Sequence, residues 1–498
     1  MITTNEVFRK YTDAETFSRI REMDTVSEMW AKSAEAYKNQ VAIEDDGLKV
    51  TFGEMETAVA HMRAALQKKG LKKGDNVGVF APNSYELVKA YLAVVTSGMC
   101  AVILPAHLDE QAVFGCTFKF SLSAVIYHEA LEAKTAFALT HGTKAQFFPT
   151  TLTDEDTLPV CTTVTKDDPA VVMFTGGTTG KSKGALLSNG ALMAGTVNGC
   201  YGYKDVFGQR YLLVLPLSHV FGLVRNLMTC LYTGSDLFIC KNNKDMFRDI
   251  ALFRPTMLVL VPALLEMALT LSKQFKKNML GDSLKYVIAG AAMVPPYLIN
   301  EYKAMGVTVL AGYGLTESAN LVSGNPDSLE KPESIGFAYG GQELRIVDGE
   351  LWLRGKNMLT AYIGEEEPAY TEDGWFRTGD LVRIDEDGYM YIVGRIKEVI
   401  VLSSGENISP QEVEAHFNEL SCVSASQVFE DENGTLALEV VPRMTELQGI
   451  EDINAHILAE LKKVNDTLPS FQRVQRMAVR TEDFQRTPSM KIVRYKKK

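Results

Sequence analysis

The chain has 498 residues, more than a single compact core usually holds, so its length predicts about two to four domains. The hydrophobic fraction of 46% and the charged fraction of 23% are ordinary for a globular protein. The net charge is −11, and no basic stripe appears apart from the last few residues, so a nucleic-acid partner is not expected.

The seven cysteines are scattered without any CxxC pair, and the seven histidines do not cluster with them. A zinc site or a disulfide framework is therefore not expected, and buried free thiols are predicted. The N-terminus is polar without an apolar signal core, and no stretch approaches the roughly 18 apolar residues of a membrane span. These features predict a cytoplasmic protein with no transmembrane segment.

The first part of the chain alternates predicted helices and strands. Apolar spacing predicts a helix over residues 14–38, and Thr51-Phe52-Gly53-Glu54 is a capping box ahead of a helix that runs to about Lys69 and ends at Gly70. Because strands and helices then alternate, we expect a parallel sheet covered by helices. The predicted strands are 76–81, 100–104, 212–215, 257–261, 286–289 and 307–310, with a helix over 84–97.

A glycine-rich segment follows a further predicted strand at 170–174. Residues 175–184, TGGTTGKSKG, contain four glycines, three threonines and two lysines, whose N–H, hydroxyl and ammonium groups are suited to holding a polyphosphate. The segment lacks the first glycine of a Walker A loop, and the apolar residues after Gly184 indicate a second strand rather than a helix. We expect a strand–loop–strand clasp over phosphates, with a plain hairpin as the alternative.

The pattern changes near residue 335. Residues 335–394 alternate short apolar runs with Asp-Gly turns, which predicts antiparallel hairpins. After Gly394 the chain is typical of a small α+β unit with helices over 411–420 and 453–464. The predicted fold class is a large α/β N-terminal domain, with parallel sheets and a small β-barrel-like subdomain, followed by a small mobile α+β C-terminal domain.

Six segments, taken together and in order, resemble the adenylate-forming superfamily of acyl-CoA synthetases, peptide-synthetase adenylation domains and luciferases. The resemblance covers nearly the whole chain, and six such strings in the family's order are highly specific. The segments are TGGTTGKSKG at 175–184, LPLSHVFGL at 215–223, GYGLTE at 312–317, GWFRTGD at 374–380, GRIKEVIVLSSGENISPQEVE at 394–414 and TPSMKI at 487–492. The resemblance implies an AMP-binding domain over 1–394, a hinge at 395–397 and a mobile domain over 398–498.

The family's chemistry has two steps. A carboxylate attacks the α-phosphorus of ATP to give an acyl-adenylate and pyrophosphate, and a thiol then displaces AMP. The resemblance therefore implies an acid:CoA ligase that uses ATP, Mg²⁺ and coenzyme A as a co-substrate. Since the first step brings two anions together, cations and dipoles have to stabilise it.

The matching strings imply a role for each candidate site residue. Glu317 would be the magnesium-associated glutamate, Thr316 would contact the α-phosphate, and Tyr313 would stack on adenine. Asp380 would accept hydrogen bonds from both ribose hydroxyls, and Arg395 would also reach the ribose. Taken singly, each has an ordinary alternative as a core, turn or surface residue. The further nucleotide-site candidates are Thr175, Gly176, Gly177, Thr178, Thr179, Gly180, Lys183, Gly290, Ala291, Ala292, Gly312 and Gly314.

Lys491 in TPSMKI matches the family's catalytic lysine, which bridges the carboxylate and the α-phosphate. The alternative is a solvated lysine in a basic tail. Because this lysine is on the small domain and ATP is on the large one, the small domain has to close, with Lys397 at the hinge. In this family the small domain then rotates and presents the loop of Gly405 to the thiol tunnel, although Gly405 could serve the turn alone.

Two motifs depart from the family's pattern. The phosphate loop has Gly177 where serine is usual and Ser182 where proline is usual, which removes one hydroxyl donor. Met490 replaces the glycine that usually precedes the catalytic lysine. We expect an active but slower enzyme because the bulkier residue hinders closure.

The substrate is indicated only broadly. Amino-acid-activating members carry an aspartate in the segment where this chain has His219, so an uncharged-tail carboxylic acid is favoured. His219 resembles the aromatic gate of acyl-CoA and aryl-CoA ligases, and a packed core histidine is the alternative. The acyl pocket is expected to be lined by residues 220–223, 290–292, Gly312 and 320–322.

Other functions stay open from the sequence. A stand-alone ligase could load an acyl-carrier protein instead of CoA, and Gly177 and Met490 would also suit a nucleotide-binding protein that has lost catalysis. A luciferase-like oxygenase has no positive support. The expected partners are a small-molecule carboxylic acid, ATP and CoA, with no nucleic acid, in a monomer or homodimer.

Overall fold

The computed structural model describes residues 3–175, 183–365, 369–402, 407–486 and 492–495. The α-helices are α1 (Ala14–Arg19), α2 (Val26–Ala36), α3 (Phe52–Lys68), α4 (Tyr85–Thr96), α5 (Glu110–Lys119), α6 (Ala136–Thr140), α7 (Asn189–Asn198), α8 (Thr229–Tyr232), α9 (Met246–Phe253), α10 (Pro262–Phe275), α11 (Pro296–Ala304), α12 (Pro410–Asn418) and α13 (Ile453–Thr467). A π-helix, Phe221–Met228, lies directly before α8.

The strands, in chain order, are β1 (Val41–Asp45), β2 (Leu48–Thr51), β3 (Asn76–Phe80), β4 (Cys100–Leu104), β5 (Leu122–Tyr127), β6 (Gln146–Pro149), β7 (Pro169–Phe174), β8 (Gly184–Ser188), β9 (Arg210–Leu213), β10 (Asp236–Ile239), β11 (Met257–Leu260), β12 (Tyr286–Ala289), β13 (Thr308–Tyr313), β14 (Ser323–Gly324), β15 (Phe337–Ala338), β16 (Gln342–Val347), β17 (Glu350–Gly355), β18 (Ala361–Ile363), β19 (Phe376–Ile384), β20 (Met390–Arg395), β21 (Ile400–Val401), β22 (Asn407–Ile408), β23 (Val423–Glu430), β24 (Leu436–Pro442) and β25 (Arg476–Val479).

Two large sheets with parallel centres build the first part of the described chain. One has the order β18-β8-β7-β4-β3-β5-β6, with β3 to β7 parallel and β8 and β18 antiparallel at one edge. The other has the order β15-β14-β13-β12-β11-β9-β10-β1-β2. Helix α4 contacts β3 and β4 of the first sheet and β1 of the second, so it is buried on nearly all sides. These sheets confirm the predicted α/β class.

Local signals in the sequence explain where the helices begin and end. Thr51 and Glu54 form the predicted capping box, and Gly70 adopts a φ of 87° just past the end of α3. Ser84 accepts a hydrogen bond from the backbone N–H of Leu87 at the start of α4. Pro262 stands at the first position of α10, where the missing N–H costs nothing.

One helix prediction was wrong in extent. Residues 14–38 form α1 and α2 with a break between them, because Thr25 is extended and its hydroxyl caps α2 by accepting from the N–H of Glu28. The apolar spacing continues across the break because Ile20, at the end of α1, is buried in the same core as Val26 and Trp30. Strand β9 also begins and ends two residues earlier than predicted.

The Asp-Gly turns lie at hairpins, as predicted. Strands β16 and β17 pair antiparallel around Asp348 and Gly349, and β17, β19 and β20 complete a four-stranded sheet in the described chain. The C-terminal part is α+β, with β23, β24 and β25 in one sheet and its own apolar core from Val413, Phe417, Val440, Ile457 and Leu461. The hinge at 395–397 stays a prediction.

The cysteines agree with the prediction of free thiols. All seven are unpaired, and all are buried except Cys161, which is half-buried. Within the ranges that the structure describes, we found no helix long and apolar enough to cross a lipid bilayer.

Candidate active site

A cleft of about 2930 Å³ collects most of the predicted site residues. Its walls come from the carboxyl ends of β12 and β13, the π-helix, β19 and β20, and the C-terminal α+β part. The predicted residues that line it are Thr175, Lys183, His219, Gly290, Ala291, Ala292, Gly312, Tyr313, Gly314, Thr316, Glu317, Asp380, Arg395 and Lys397. The predicted Gly176, Gly177, Thr178, Thr179, Gly180, Gly405 and Lys491 lie outside the described residues.

Asp380 is the centre of a buried polar group on one wall. Its carboxylate accepts hydrogen bonds from the hydroxyl of Tyr313 at 2.5 Å and from Nε and Nη2 of Arg395 at 2.6 and 3.4 Å. Strand pairing places Asp380 directly opposite Arg395 in the β19–β20 hairpin. Burial and the carboxylate raise the pKa of Tyr313 well above its usual value, so the phenol remains a donor.

Glu317 anchors a second polar group, four residues along the chain from Tyr313. One carboxylate oxygen accepts from the hydroxyl of Tyr362 at 2.7 Å. The ammonium of Lys183 lies 5.0 Å from the centre of the Tyr362 ring and 3.5 Å from a carboxylate oxygen of Glu365. Tyr362 on β18 therefore connects Lys183, the residue before β8, with the candidate magnesium glutamate.

Tyr362 was not predicted as a site residue. It sits on β18, which pairs with β8 so that Tyr362 is opposite Ala185. Burial and the neighbouring carboxylate raise the pKa of Tyr362 well above its usual value. No local sequence signal marks it, because its place beside Glu317 results from the pairing of two strands far apart in the chain.

The backbone around Tyr313 and Glu317 is closely packed and includes left-handed residues. A Cβ at Gly314 would lie 1.4 Å from the carbonyl oxygen of Asn320, so only glycine fits there. Ala319 and Asn320 have φ values of 46° and 76°, and Ala291 across the cleft has 65°. Left-handed non-glycine residues are uncommon and concentrate at functional sites.

The segment containing His219 leads into the π-helix Phe221–Met228. π-helical turns are rare and frequently mark functional sites. Val220, Phe221 and Arg225 line the cleft, as do Asn320 and Leu321, whereas Gly222, Leu223 and Val322 of the predicted acyl pocket do not. Leu223 and Val322 are instead fully buried in the core. Arg225 was missed, although a charged residue in the apolar run HVFGLVRNLM was a usable signal.

The C-terminal segment after Lys491 is held by an ion-pair cluster. Arg494 makes two 2.7 Å hydrogen bonds to the buried carboxylate of Glu414 on α12 and a 2.8 Å ion pair with Glu398. Glu398 follows Lys397 in a short 3₁₀-helix, so this cluster ties the C-terminal segment to the predicted hinge. None of these three residues was predicted as a site residue.

Ion pairs also join the C-terminal part to α10. Arg443 contacts Glu266 at 2.9 Å, and Lys273 contacts Glu446 at 3.0 Å. Burial raises the pKa of Glu266, although Arg443 opposes this. The C-terminal part therefore contacts α10 through charged side chains.

Two family models match this chain. The model described as AMP-binding enzyme matches residues 30–363, and the model described as AMP-binding enzyme C-terminal domain matches residues 397–497. The chain belongs to the AMP-binding enzyme family. This membership confirms the predicted adenylate-forming, acyl-CoA ligase-like enzyme and places the chain among the ligases.

Curated relatives of this AMP-binding enzyme are CoA ligases. Indoleacetate–CoA ligase of Aromatoleum aromaticum is 31% identical over 395 residues, covering 73% of this chain and 77% of the relative. Peroxisomal OPC-8:0-CoA ligase 1 of Arabidopsis thaliana is 28% identical over 436 residues, covering 77% of each.

Solved structures of similar proteins support the fold of this AMP-binding enzyme. The o-succinylbenzoate CoA synthetase of Bacillus subtilis, solved with its acyl-adenylate, has a TM-score of 0.79 at 23% identity, covering 95% of this chain and 98% of the other. An anthranilate CoA ligase solved with anthranoyl-AMP has a TM-score of 0.83 at 19% identity, covering 96% and 97%.

We expect Tyr362→Phe to lower the rate of adenylation by about tenfold and to raise the Mg²⁺ concentration needed for half-maximal rate, because Glu317 loses a charge-assisted hydrogen bond. Initial rates over a Mg²⁺ titration measure both effects. Tyr370→Phe is the matched control, since Tyr370 donates to the backbone carbonyl of Leu359 and not to Glu317. Equal Mg²⁺ requirements in both variants would contradict the role given to Tyr362.

Proposed function

We propose that this enzyme activates a carboxylic acid with ATP to an acyl-adenylate, releasing pyrophosphate, and then transfers the acyl group to the thiol of coenzyme A. The observation that carries the proposal is the placement of two polar groups, Tyr313–Asp380–Arg395 and Lys183–Tyr362–Glu317, on one cleft. Both relatives described above are named CoA ligases, which supports the transfer of the acyl group to coenzyme A.

The Asp380 group suits the sugar of a nucleotide. A carboxylate has about four acceptor sites, and Tyr313 and Arg395 fill three of them. Binding of both ribose hydroxyls to Asp380 therefore requires Arg395 or Tyr313 to release one site. Arg395 is the better candidate, because its side chain is 39% exposed and it can turn to the ribose itself.

The Glu317 group suits a magnesium ion held jointly with the nucleotide. No cluster of three or more His, Cys, Asp or Glu side chains that could hold a metal occurs in the part of the chain that the structure describes. Magnesium commonly takes one or two carboxylates together with substrate phosphates and water, so a single glutamate fits it. When bound, Mg²⁺ would offset the charge of the phosphates; Lys183 and Thr175, at the ends of the glycine-rich loop, would contact the β- and γ-phosphates.

The remaining roles are those that the resemblance to the adenylate-forming superfamily implies. Thr316 would contact the α-phosphate, and His219 with Gly290, Ala291 and Ala292 would border the acyl group. Lys491 would bridge the attacking carboxylate and the α-phosphate, where charge gathers in the transition state. The small domain, hinged at 395–397, would deliver Lys491 and later bring Gly405 to the thiol. Free thiols are typical of a reducing compartment, so we also propose a cytoplasmic location.

The direct test is carboxylate-dependent exchange of pyrophosphate into ATP across a broad panel of acids. We expect at least one acid to support exchange, and the same acid to give AMP and a thioester when CoA is added. A carrier protein that replaces CoA as the better acceptor would favour the carrier-loading alternative. Nucleotide binding without exchange by any acid would contradict the proposal and leave a catalytically impaired nucleotide-binding protein.

A further inference from the structure

Arg225 on the π-helix is a fully buried cation that lines the cleft. Its Nη2 donates to the hydroxyl of Tyr203 at 2.5 Å, and its guanidinium lies 5.2 Å from the centre of the same ring. Its Nη1 has no hydrogen-bond partner among the described residues. Within those residues no carboxylate is close enough for an ion pair with Arg225.

Arg63, another fully buried arginine, has a carboxylate partner. Arg63 on α3 pairs with the carboxylate of Glu56 at 2.5 Å and also donates to Thr96 and to the carbonyl of Leu158. Away from the cleft, the fold therefore neutralises a buried guanidinium and fills its donors. Of the two fully buried arginines among the described residues, only Arg225, which lines the cleft, has no carboxylate partner.

The walls around Arg225 cannot neutralise it. Phe221, Tyr203 and Tyr339 also line the cleft, and their side chains offer aromatic surface and neutral hydroxyls only. A buried charge without a counter-ion is strongly unfavourable, and the low local dielectric that makes it so also strengthens its attraction to an anion. A ligand with a negative oxygen group is therefore complementary to this position.

Arg225 is on the acyl side of the cleft. Phe221, four residues before it in the π-helix, packs against Gly290, where an added Cβ would lie 3.3 Å from the ring. Gly290 in turn neighbours the carbonyl of Gly312, the residue before the nucleotide candidate Tyr313. A substrate whose reacting carboxylate is near Tyr313 and Thr316 would extend past Gly290 and Phe221 towards Arg225.

We propose that Arg225 pairs with a second carboxylate at the distal end of the substrate, so that the acid activated by this enzyme is a dicarboxylic acid. The inference rests on the proposed function, since it names the substrate class of that site. It replaces the expectation of an uncharged tail, which was drawn from the lack of an aspartate near His219. The lack of an aspartate argues against a positively charged group on the substrate. The positive charge of Arg225 instead favours a negatively charged one.

The test compares α,ω-dicarboxylic acids, and aromatic dicarboxylic acids, with monocarboxylic acids of equal carbon number in pyrophosphate exchange. We expect the parent enzyme to prefer a dicarboxylic acid over its methyl-ended counterpart by about 10- to 100-fold in kcat/KM, the effect of one hydrogen bond to a charged group. In Arg225→Met this preference should fall to about twofold or less, and Arg225→Lys should restore part of it.

Thermal unfolding shows whether Arg225 binds the substrate or instead stabilises the fold. Without substrate, Arg225→Met should leave Tm unchanged or raised, because it removes an unpaired buried charge, whereas Arg63→Met should lower Tm by stranding Glu56. Equal rates for the two acid classes in the parent enzyme, or an unchanged preference in Arg225→Met, would overturn the inference and leave the ligase function standing. A preference for hydroxy or keto acids over dicarboxylic acids would overturn it as well. Absence of exchange with every acid would overturn the proposed function itself.

Discussion

Asp380→Ala is expected to lower kcat/KM for ATP in pyrophosphate exchange by about 100-fold or more. The substitution removes the acceptor proposed for the ribose and leaves the guanidinium of Arg395 and the hydroxyl of Tyr313 without their shared partner. Two hydrogen bonds from the ribose to a charged acceptor would be lost, each contributing about 1.5–3 kcal/mol, and 1.4 kcal/mol corresponds to a tenfold change. Because Arg395 is 39% exposed and can be solvated, we place the effect near the lower limit.

The measurement is an ATP titration of the exchange rate, with urea unfolding as the check on stability. We expect the free energy of unfolding to fall by about 1–3 kcal/mol through the unsatisfied polar groups. Asp373→Ala is the matched control, because Asp373 lies just before the same hairpin strand and is 58% exposed in its ion pair with Arg345. Parent-like ATP kinetics in Asp380→Ala would show that the nucleotide binds elsewhere.

Lys491→Ala is expected to slow acyl-adenylate formation by about 100- to 1000-fold, the usual effect of removing one group that stabilises transition-state charge. The same variant should still form the thioester when it is given acyl-adenylate and CoA, since the lysine is assigned to the first step only. Rapid-quench measurement of acyl-adenylate in a single turnover tests the first statement, and a thioester assay tests the second.

The control for this variant comes from the described residues. Arg486 and Ile492 on either side of the segment pair antiparallel, and Arg494 is fixed to Glu414. Lys462→Ala removes an exposed lysine of α13 that pairs with Asp466, and it should leave both steps unchanged. An unaltered rate of adenylate formation in Lys491→Ala would refute the proposed mechanism, and loss of both steps would point to a folding defect instead.

The strands and helices with strong local signals were predictable. The capping box at Thr51, the Asp-Gly turn at Asp348 and the apolar strands 100–104 and 286–289 all depend on residues close together in the sequence, so their periodicity and turn chemistry suffice. The break between α1 and α2 was not predictable from periodicity, because Ile20 continues the apolar pattern by packing into the core while the backbone is no longer helical.

Some residues of the candidate site were likewise predictable from the sequence, and others were not. Motifs in the sequence selected Tyr313, Glu317, Asp380 and Arg395, and the structure brings them to one cleft. Tyr362 and Glu414 were missed because each acquires its partner through contacts between distant segments. Arg225 was missed for a different reason, since its residue type is visible in the sequence but its lack of a counter-ion is not.

The amino-acid sequence by itself determined the family and the ligase class, and it supplied the candidate residues for nucleotide binding, because these depend on short motifs whose order along the chain is informative. Only the tertiary structure decided which of these side chains share a carboxylate, which tyrosine supports Glu317 and which buried cation is left unneutralised at the acyl end of the cleft. The physical reason is that hydrogen bonding, burial and charge balance depend on strands and helices from distant parts of the chain that meet at one place. A residue type can be read locally, whereas its electrostatic environment is a property of the whole fold.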